Sequence, residues 1–289
     1  MEIRHKNEKQ ENFPVGSFFL PKEKRAVIMH YYRYARHADD IADNPQLSVK
    51  QKIARLHELE DIFLGTKPYK GQKLRFVREL RKDFSKHDLN TSLATDLLIA
   101  FRQDAMGFDY QTWGQLVEYC KYSAAPVGRF MLALFKEHPS TYLPGTSLCV
   151  ALQIVNHLQD IKYDALTLRR VYIPAEFMQK YKFSKDDLVK DKSAAGLKKA
   201  IDEMLDLCLG LVKEGSLLPA IIKSLSLRIE VCVILSLTNI MIKKIKNGDV
   251  LQKHIKLSGL DWLKALCSGF VRGIFCKKKS LSAKVKHEQ

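Results

Sequence analysis

Apolar residues recur at helical spacing along most of the chain, while glycine and proline are sparse and mark the boundaries between periodic segments. The first predicted helix runs from Pro21 through Asp43, and Asn44-Pro45 ends it because the residue before a proline resists the helical conformation. Eight further helices are predicted, at about residues 47–65, 73–83, 90–106, 111–136, 143–164, 192–213, 215–246 and 257–273. Residues 165–191 form the longest candidate loop.

The sequence shows no strand pattern or repeat that competes with a helical fold. No segment alternates apolar and polar residues between hairpin turns, and no internal repeat or low-complexity linker divides the chain. We therefore expect an all-α protein with one helical domain over residues 21–273, a lead-in over residues 1–20 and a basic tail over residues 274–289. Two late segments, Ile201–Val212 and Ile229–Ile242, are apolar on several faces, which is typical of core helices or of the wall of an apolar pocket.

The overall charge suggests the class of partner. The chain has 289 residues and a formal net charge of +16. Such a charge suits a nucleic acid, an anionic membrane surface or an anionic small substrate, and a solvated basic surface explains it equally well. The basic residues are spread along the chain, apart from the block Lys277-Lys278-Lys279. Since no helix-turn-helix, zinc-finger or RNA-binding signature accompanies the charge, we expect no nucleic-acid partner.

Cysteine usage and the most apolar segments indicate the compartment. None of the six cysteines forms a C-x-x-C pair and four lie in apolar runs, as is typical of core residues in a reduced compartment. Residues 1–11 are polar and charged, unlike a signal peptide. The segment Ile229–Ile242 contains Glu230 and Asn239 and is short for a membrane span. We expect a cytoplasmic protein that contacts a membrane, if at all, only peripherally.

Two acidic clusters carry the candidate chemistry. Asp39 and Asp43 are four residues apart, and so are Asp160 and Asp164, so each pair places two carboxylates on one helix face, one turn apart. A single pair of this kind is usually a solvated helix face. Two pairs on different helices, whose like charges repel, favour a site in which magnesium ions bridge the carboxylates and a substrate diphosphate.

Polar residues accompany both clusters at helical spacing. They are Tyr32 and Arg36 before the first pair, and Gln153, Asn156 and Gln159 before the second. Polar groups are costly to bury without partners, so a polar site explains them better than a core does. We interpret His37 and His157 as supporting or surface residues rather than metal ligands, because no further ligand stands at catalytic-metal spacing.

A third segment combines small residues with a proline. The run from Ser123 to Gly128 includes Pro126 within a helical pattern. A kinked helix that opens a pocket for a chain-like substrate and a plain break between two helices explain this run equally well.

Four motifs in order resemble the squalene and phytoene synthases. They are the runs from Tyr32 to Asp43, from Tyr119 to Gly128, from Leu152 to Asp160 and from Arg170 to Pro174. The resemblance covers roughly residues 11 to 270. Within the family the chain is most similar to the bacterial hopanoid-pathway squalene synthases, on three features: the run from Glu11 to Val15, the complete first acidic cluster, and Gln159 where many members have an arginine.

The resemblance implies an isoprenoid synthase helical bundle with a central apolar cavity, and conversion of presqualene diphosphate to hydroxysqualene. A partner enzyme would make presqualene diphosphate from two molecules of farnesyl diphosphate. Two or three Mg²⁺ ions would bind with the diphosphate. By resemblance, the metal ligands are Asp39, Asp43, Asp160, Asp164 and Asn156; the diphosphate or prenyl-chain contacts are Asn12, Tyr32, Arg36, Gln153 and Gln159; and Tyr119 lies near the cation.

Three alternatives remain at this point. The first is a two-step farnesyl diphosphate farnesyltransferase that makes presqualene diphosphate, squalene or a phytoene-type product. The lack of a G-x-G-x-x-G motif slightly favours a reaction without NADPH, which we do not expect as a cofactor. The second is a non-catalytic helical assembly factor, which the complete aspartate pairs disfavour. The third is a basic nucleic-acid binder, which rests on charge alone.

Overall fold

The computed structural model describes residues 20–69 and 71–276, and within these ranges the regular structure is helical, with no strand. The α-helices are α1 (Lys22–Asp43), α2 (Val49–Leu64), α3 (Arg75–Lys86), α4 (Ser92–Met106), α5 (Trp113–Ser123), α6 (Ala125–Leu134), α7 (Tyr142–Gln159), α8 (Ile161–Tyr163), α9 (Ala175–Tyr181), α10 (Ala195–Gly215), α11 (Leu218–Ile221), α12 (Leu225–Asn247) and α13 (Gly259–Phe275). A π-helical turn over Asp164–Leu168 follows α8, and Pro139–Thr141 and Lys185–Val189 are 3₁₀ turns.

Local sequence signals set several helix ends. Helix α1 ends at Asp43, and Asn44 before Pro45 is extended, as predicted. Ser48 opens α2 with a capping box in which Ser48 and Gln51 satisfy each other's backbone amides, and Gly65 ends α2 with a positive φ of 78°. A second capping box, between Ser258 and Asp261, opens α13.

Some predicted boundaries were wrong. The helix predicted over residues 111–136 is two helices, α5 and α6, so of the two alternatives for the run from Ser123 to Gly128 the break is the one found. The helices separate at Ala124, where φ is −129°, two residues before Pro126. The helix predicted over residues 215–246 is likewise interrupted between α11 and α12. Pro126 has no backbone N–H to donate to the carbonyl four residues before it, and its ring clashes with that carbonyl, which explains the first break.

The prediction of one long loop over residues 165–191 was incomplete. It contains α9 and a 3₁₀ turn, and its first residues continue the π-helical turn. Short helices of this kind give weak periodicity, so the sequence pattern does not reveal them. Helix α13 also runs to Phe275, two residues beyond its predicted end at 273.

Helix α7 lies at the centre of the bundle. It packs against α5, α6, α10 and α12, while α1 packs against α2, α3 and α4. One buried apolar cluster extends through nearly all of these helices. The expected all-α, single-domain helical fold is confirmed.

Helix α12 corrects the expectation that no segment is long enough to span a bilayer. Its 23 residues satisfy the length and composition of a membrane span, but 67% of its apolar window is buried inside the fold. The helix packs against α7, α10, α11 and α13. Its apolar character is therefore explained by its place in the core.

Helix α13 approaches α12 closely through small residues. A Cβ atom at Gly269 would lie 2.5 Å from a side-chain carbon of Val233, and one at Gly273 would lie 2.7 Å from Ile229. The opposite face of α13 exposes large apolar side chains: Leu260, Leu263, Phe270, Val271, Ile274 and Phe275.

Candidate active site

A cavity of about 490 Å³ opens between α1, α4, α5, α6, α7 and α12. Its walls change in character from one end to the other. The apolar part is lined by Leu20, Ile28, Phe130, Met131, Leu132, Leu148, Leu152, Leu218, Leu227, Val231 and Ile234. The charged part is lined by Arg36, Asp39, Asp43, Asp104, Asp160, Asp164 and Arg170, and one further charged residue, Glu230, lies among the apolar lining residues of α12. All four predicted acidic residues therefore line one cavity, although the two pairs are far apart in sequence.

The first aspartate pair projects from the last turns of α1. Nη1 of Arg36 donates to Oδ2 of Asp39 over 2.9 Å, and Nη2 of Arg36 forms an ion pair with Oδ1 of Asp40 at 2.8 Å, as the helical spacing predicts. Nη1 of Arg170 donates to Oδ1 of Asp43 over 2.6 Å. Because Asp43 lies at the C-terminal end of a helix, where the helix dipole is negative, the pair needs positive partners.

The pKa of Asp39 also indicates that the first aspartate pair needs positively charged partners. The side chain lines the cavity and 30% of its surface remains exposed. Burial raises the pKa of this carboxyl well above its usual value, the negative charge of Asp43 raises it further, and the guanidinium groups of Arg36 and Arg170 oppose the rise only in part. An added cation at this position would stabilise the carboxylate.

The second pair follows the end of α7. Asp160 caps this helix, and the backbone amide of Asp164 donates to the carbonyl of Asp160 over 2.8 Å, so one helical turn separates the two residues as expected. Nδ1 of His254 lies 3.5 Å from Oδ1 of Asp160, and Nδ1 of His157 lies 3.8 Å from Oδ2 of Asp164.

The donor set suits a hard divalent cation. Within residues 20–69 and 71–276, no group of three His, Cys, Asp or Glu side chains is close enough to hold a metal ion alone. Magnesium is commonly held by one or two carboxylates together with waters and substrate phosphates. Two carboxylate pairs that line one cavity fit that mode of binding, in which the diphosphate would complete the site.

Most of the chain matches one family of known proteins. The family model described as squalene/phytoene synthase matches residues 6–261. The chain belongs to the squalene/phytoene synthase family.

Relatives and solved structures agree with this assignment. The chain is 36% identical to the hydroxysqualene synthase of Sinorhizobium fredii, over 88% of this chain and 86% of the relative. It is 34% identical to the hydroxysqualene synthase of Rhodopseudomonas palustris, over 94% and 93%. The fold is similar to that of squalene synthase HpnC from Alicyclobacillus acidocaldarius, with a TM-score of 0.70 and 27% identity over 81% of this chain and 87% of that structure. The chain is an enzyme of the squalene synthase type, as predicted.

Other predicted residues are also placed at the cavity of this family member. Tyr32, Arg36, Tyr119, Gln153 and Asn156 all line it. The small residues Ala124, Val127 and Gly128 line it too, so the break between α5 and α6 contributes to a pocket. Asn12 lies outside the described residues.

Gln159, His157 and His37 occupy three different environments. Gln159 does not line the cavity; it is 2% exposed, and its Nε2 donates to the carbonyl of Ile255 over 2.5 Å. Its amide therefore binds the segment that contains Ile255, whereas Asn156 and Asp160 line the cavity. His157 is 8% exposed and lines the cavity, so of the two alternatives for this residue its placement fits a supporting residue and not a surface residue. His37 packs edge-on against Phe76.

A buried polar network centred on Asp104 was not predicted from the sequence. Tyr119 donates to Oδ2 of Asp104 over 2.8 Å, and Tyr172 donates to Oδ1 over 2.7 Å. Arg170 donates to the backbone carbonyl of Asp104 over 3.2 Å as well as to Asp43. The network therefore fixes the hydroxyl of Tyr119 and joins the first aspartate pair to the cavity wall.

Burial sets the electrostatics of this network. It raises the pKa of Asp104, while Arg170 and the two tyrosine hydroxyls lower it by less. A sequence signal for Asp104 exists, because it lies on the buried face of α4 at helical spacing from Leu97 and Phe101. A charged residue on an apolar helix face indicates a site or a buried partner.

Proposed function

We propose that this enzyme converts presqualene diphosphate to hydroxysqualene with the help of Mg²⁺. One observation carries the proposal: two aspartate pairs, from α1 and from the end of α7, line the same cavity, and much of the remaining lining is apolar. The relatives that match over most of the chain are named hydroxysqualene synthases, which supports this reaction among those of the family.

The charged mouth holds the diphosphate in this proposal. Asp39, Asp43, Asp160 and Asp164, with the amide of Asn156, would hold the magnesium ions, which supply Lewis-acid stabilisation of the leaving group. Arg36 lies beside Asp39 and lines the cavity, so its guanidinium reaches the same region. A guanidinium is a strong partner for a phosphate oxygen.

The apolar part of the cavity protects the carbocation. Loss of diphosphate leaves a cation that bulk water would quench early, so a dry and shaped cavity is required. The ring of Tyr119 lines the cavity and is fixed by its hydrogen bond to Asp104. An aromatic face stabilises a nearby cation by about 0.5–2 kcal/mol.

Product analysis tests the proposal. Purified protein is incubated with presqualene diphosphate and Mg²⁺, with and without NADPH, and the products are identified by mass spectrometry. We expect hydroxysqualene, no dependence on NADPH, and loss of turnover when the metal is chelated. If presqualene diphosphate is recovered unchanged in all conditions, the proposed function is wrong.

Farnesyl diphosphate as substrate distinguishes the alternative. A two-step farnesyltransferase would make presqualene diphosphate or a hydrocarbon from farnesyl diphosphate alone. In our proposal a separate synthase supplies presqualene diphosphate, so farnesyl diphosphate alone gives no C30 product. Addition of a presqualene diphosphate synthase restores hydroxysqualene.

A peripheral membrane contact forms part of the proposal, because substrate and product are both lipophilic. The outer face of α13 exposes Leu260, Leu263, Val271 and Phe275, and the chain carries a net charge of +16. An apolar helix face beside basic residues suits the surface of an anionic bilayer. Residues 277–289 of the basic tail lie outside the described residues, and their sequence supplies further positive charge.

Vesicle flotation tests the membrane contact. The double variant Val271→Ser with Phe275→Ser removes two side chains that are 54% and 77% exposed. The matched control is Leu143→Ser with Phe108→Ser, at positions that are 66% and 50% exposed on other elements. We expect the first variant alone to lose binding to anionic vesicles. Equal binding by both variants and the parent would contradict the contact.

A further inference from the structure

The cavity face of α7 changes from apolar to charged along the helix. The lining residues, in order, are Gly145, Leu148, Cys149, Leu152, Gln153, Asn156, His157 and Asp160. Gln153 is seven residues before Asp160, which is roughly 10 Å along a helix axis at 1.5 Å per residue. Gln153 and His157 therefore mark the boundary between the apolar part of the cavity and its charged mouth.

The side chains at this boundary hold each other in place. Nε2 of Gln153 lies 3.1 Å from Nε2 of His157, one turn away on the same helix. The His157 ring is stacked on Tyr172, with centroids 3.6 Å apart and planes inclined by 19°. Tyr172 is itself fixed by its hydrogen bond to Asp104. Since the amide nitrogen of Gln153 faces His157, its oxygen Oε1 is left to accept a hydrogen bond from another group.

The boundary is also where the cation forms in the proposed reaction. The diphosphate lies at the charged mouth and the prenyl chains lie in the apolar part, so the carbon that loses diphosphate lies between them. A buried water needs two to four polar partners. Gln153 Oε1 and the released diphosphate supply two partners at this boundary.

We propose that Gln153 holds the water molecule that ends the reaction, and that His157 orients the Gln153 amide for this purpose. The inference rests on the proposed function and deepens it. Gln153 thus contacts a reactant, while His157 is a positioning residue. Together they decide that the cation ends as an alcohol instead of losing a proton to give a diene.

The step balances without an oxidant or reductant. The carbon–oxygen bond to diphosphate breaks, and diphosphate leaves with the electron pair. After rearrangement of the cation, a lone pair of the water forms a new carbon–oxygen bond. The surplus proton of that water passes to an oxygen of the released diphosphate. In the competing outcome a proton leaves a carbon next to the cation and a double bond forms.

The product ratio tests the proposal. Presqualene diphosphate is converted by the parent, by His157→Leu and by His157→Gln, and both released diphosphate and the ratio of alcohol to diene are measured. We expect His157→Leu to release diphosphate while the alcohol-to-diene ratio falls about tenfold, as loss of one oriented hydrogen bond gives. His157→Gln keeps a side chain that bonds the Gln153 amide, so it restores much of the alcohol.

Two further variants keep the test decisive. Gln153→Leu removes the water contact itself, so the alcohol fraction of whatever product forms falls in this variant too. His37→Leu changes a histidine of α1 outside the cavity and leaves the ratio unchanged. A parent-like ratio in either His157→Leu or Gln153→Leu would overturn the inference. Failure of the parent to make the alcohol at all would instead overturn the proposed function.

Discussion

Arg170 and Asp43 are 127 residues apart in sequence, yet Nη1 of Arg170 lies 2.6 Å from Oδ1 of Asp43. The same guanidinium donates to the carbonyls of Ala42 and Asp104. The buried guanidinium of Arg170 therefore joins the end of α1, the end of α4 and the segment after the π-helical turn. This contact ties the first aspartate pair to the wall that carries Tyr119 and Tyr172.

Removal of this guanidinium is expected to destabilise the fold. Arg170→Met leaves the carboxylate of Asp43 buried without its partner, because both side chains are about nine-tenths buried. Breaking a buried ion pair in this way costs about 3–5 kcal/mol. Urea unfolding measures the loss. Arg75→Met, at an exposed pair with Glu79, is the control and should change stability by less than about 1 kcal/mol. Similar effects of both changes would show that the buried contact has no special role.

The aspartate pairs are expected to be required for turnover but not for folding. Asp39→Asn and Asp160→Asn each weaken the magnesium site, so diphosphate release from presqualene diphosphate should fall by several orders of magnitude. Asp109→Asn, whose side chain is 54% exposed and paired with Lys185, should keep the parent rate. Circular dichroism should show the same helical content in all three variants. Near-parent rates in both site variants would refute the assignment of these residues.

Asp104 is expected to make stability depend on pH. Burial raises its pKa in the folded state above the usual 3.8, so the folded state binds more protons than the unfolded state as pH rises above that value. The contribution of this carboxyl to stability is therefore fully present below its unfolded pKa and is lost as pH rises through the folded pKa. Asp104→Asn removes this pH dependence of stability, because its side chain does not titrate, and it keeps an acceptor for a tyrosine hydroxyl.

Urea unfolding of both proteins at several pH values, from about 4 to 7, provides the measurement. The free energy of unfolding of the parent should fall relative to that of Asp104→Asn as pH rises. If the free energy of unfolding of the parent instead rises relative to that of Asp104→Asn over this range, the folded-state pKa of Asp104 is lowered.

The contact between α12 and α13 is expected to depend on Gly269. A Cβ atom there would lie 2.7 Å from the Cα of Val233, so Gly269→Ala must push the helices apart and cost about 1–3 kcal/mol. Gly210 lies inside α10, and a Cβ atom added there would have no neighbouring atom within 4 Å. Gly210→Ala should therefore stabilise the protein by about 0.5–1 kcal/mol through higher helix propensity. Thermal unfolding compares the two, and opposite signs are expected.

Much of the site was predictable because helical spacing is local. The sequence alone places Asp39 with Asp43, and Asp160 with Asp164, one turn apart, and it places Arg36 beside Asp39; the structure has each of these relationships. Helix ends with strong signals, such as Asn44-Pro45, were also correct. The break at Ala124 lies in the run from Ser123 to Gly128, for which a kink and a break were both open, and the short helices within residues 165–191 were not predicted.

Relationships between helices were decided only by the tertiary structure. Helical periodicity states which residues share a face, but it does not state which faces meet or how far a side chain rotates toward a neighbour. Gln159 has the spacing of a site residue, yet the segment containing Ile255 binds its amide away from the cavity. Asp104 and Arg170 gained their importance only from packing.

The sequence by itself determined an all-α chain with two acidic clusters of the squalene/phytoene synthase type, because helix formation and cluster spacing depend on near neighbours. Only the tertiary structure decided that these clusters line one cavity, that Tyr119 is fixed by Asp104, and that His157 lies at the boundary between the apolar and charged parts. The physical reason is that burial of apolar surface sets how whole helices pack, and contacts between residues more than a hundred positions apart follow from that packing.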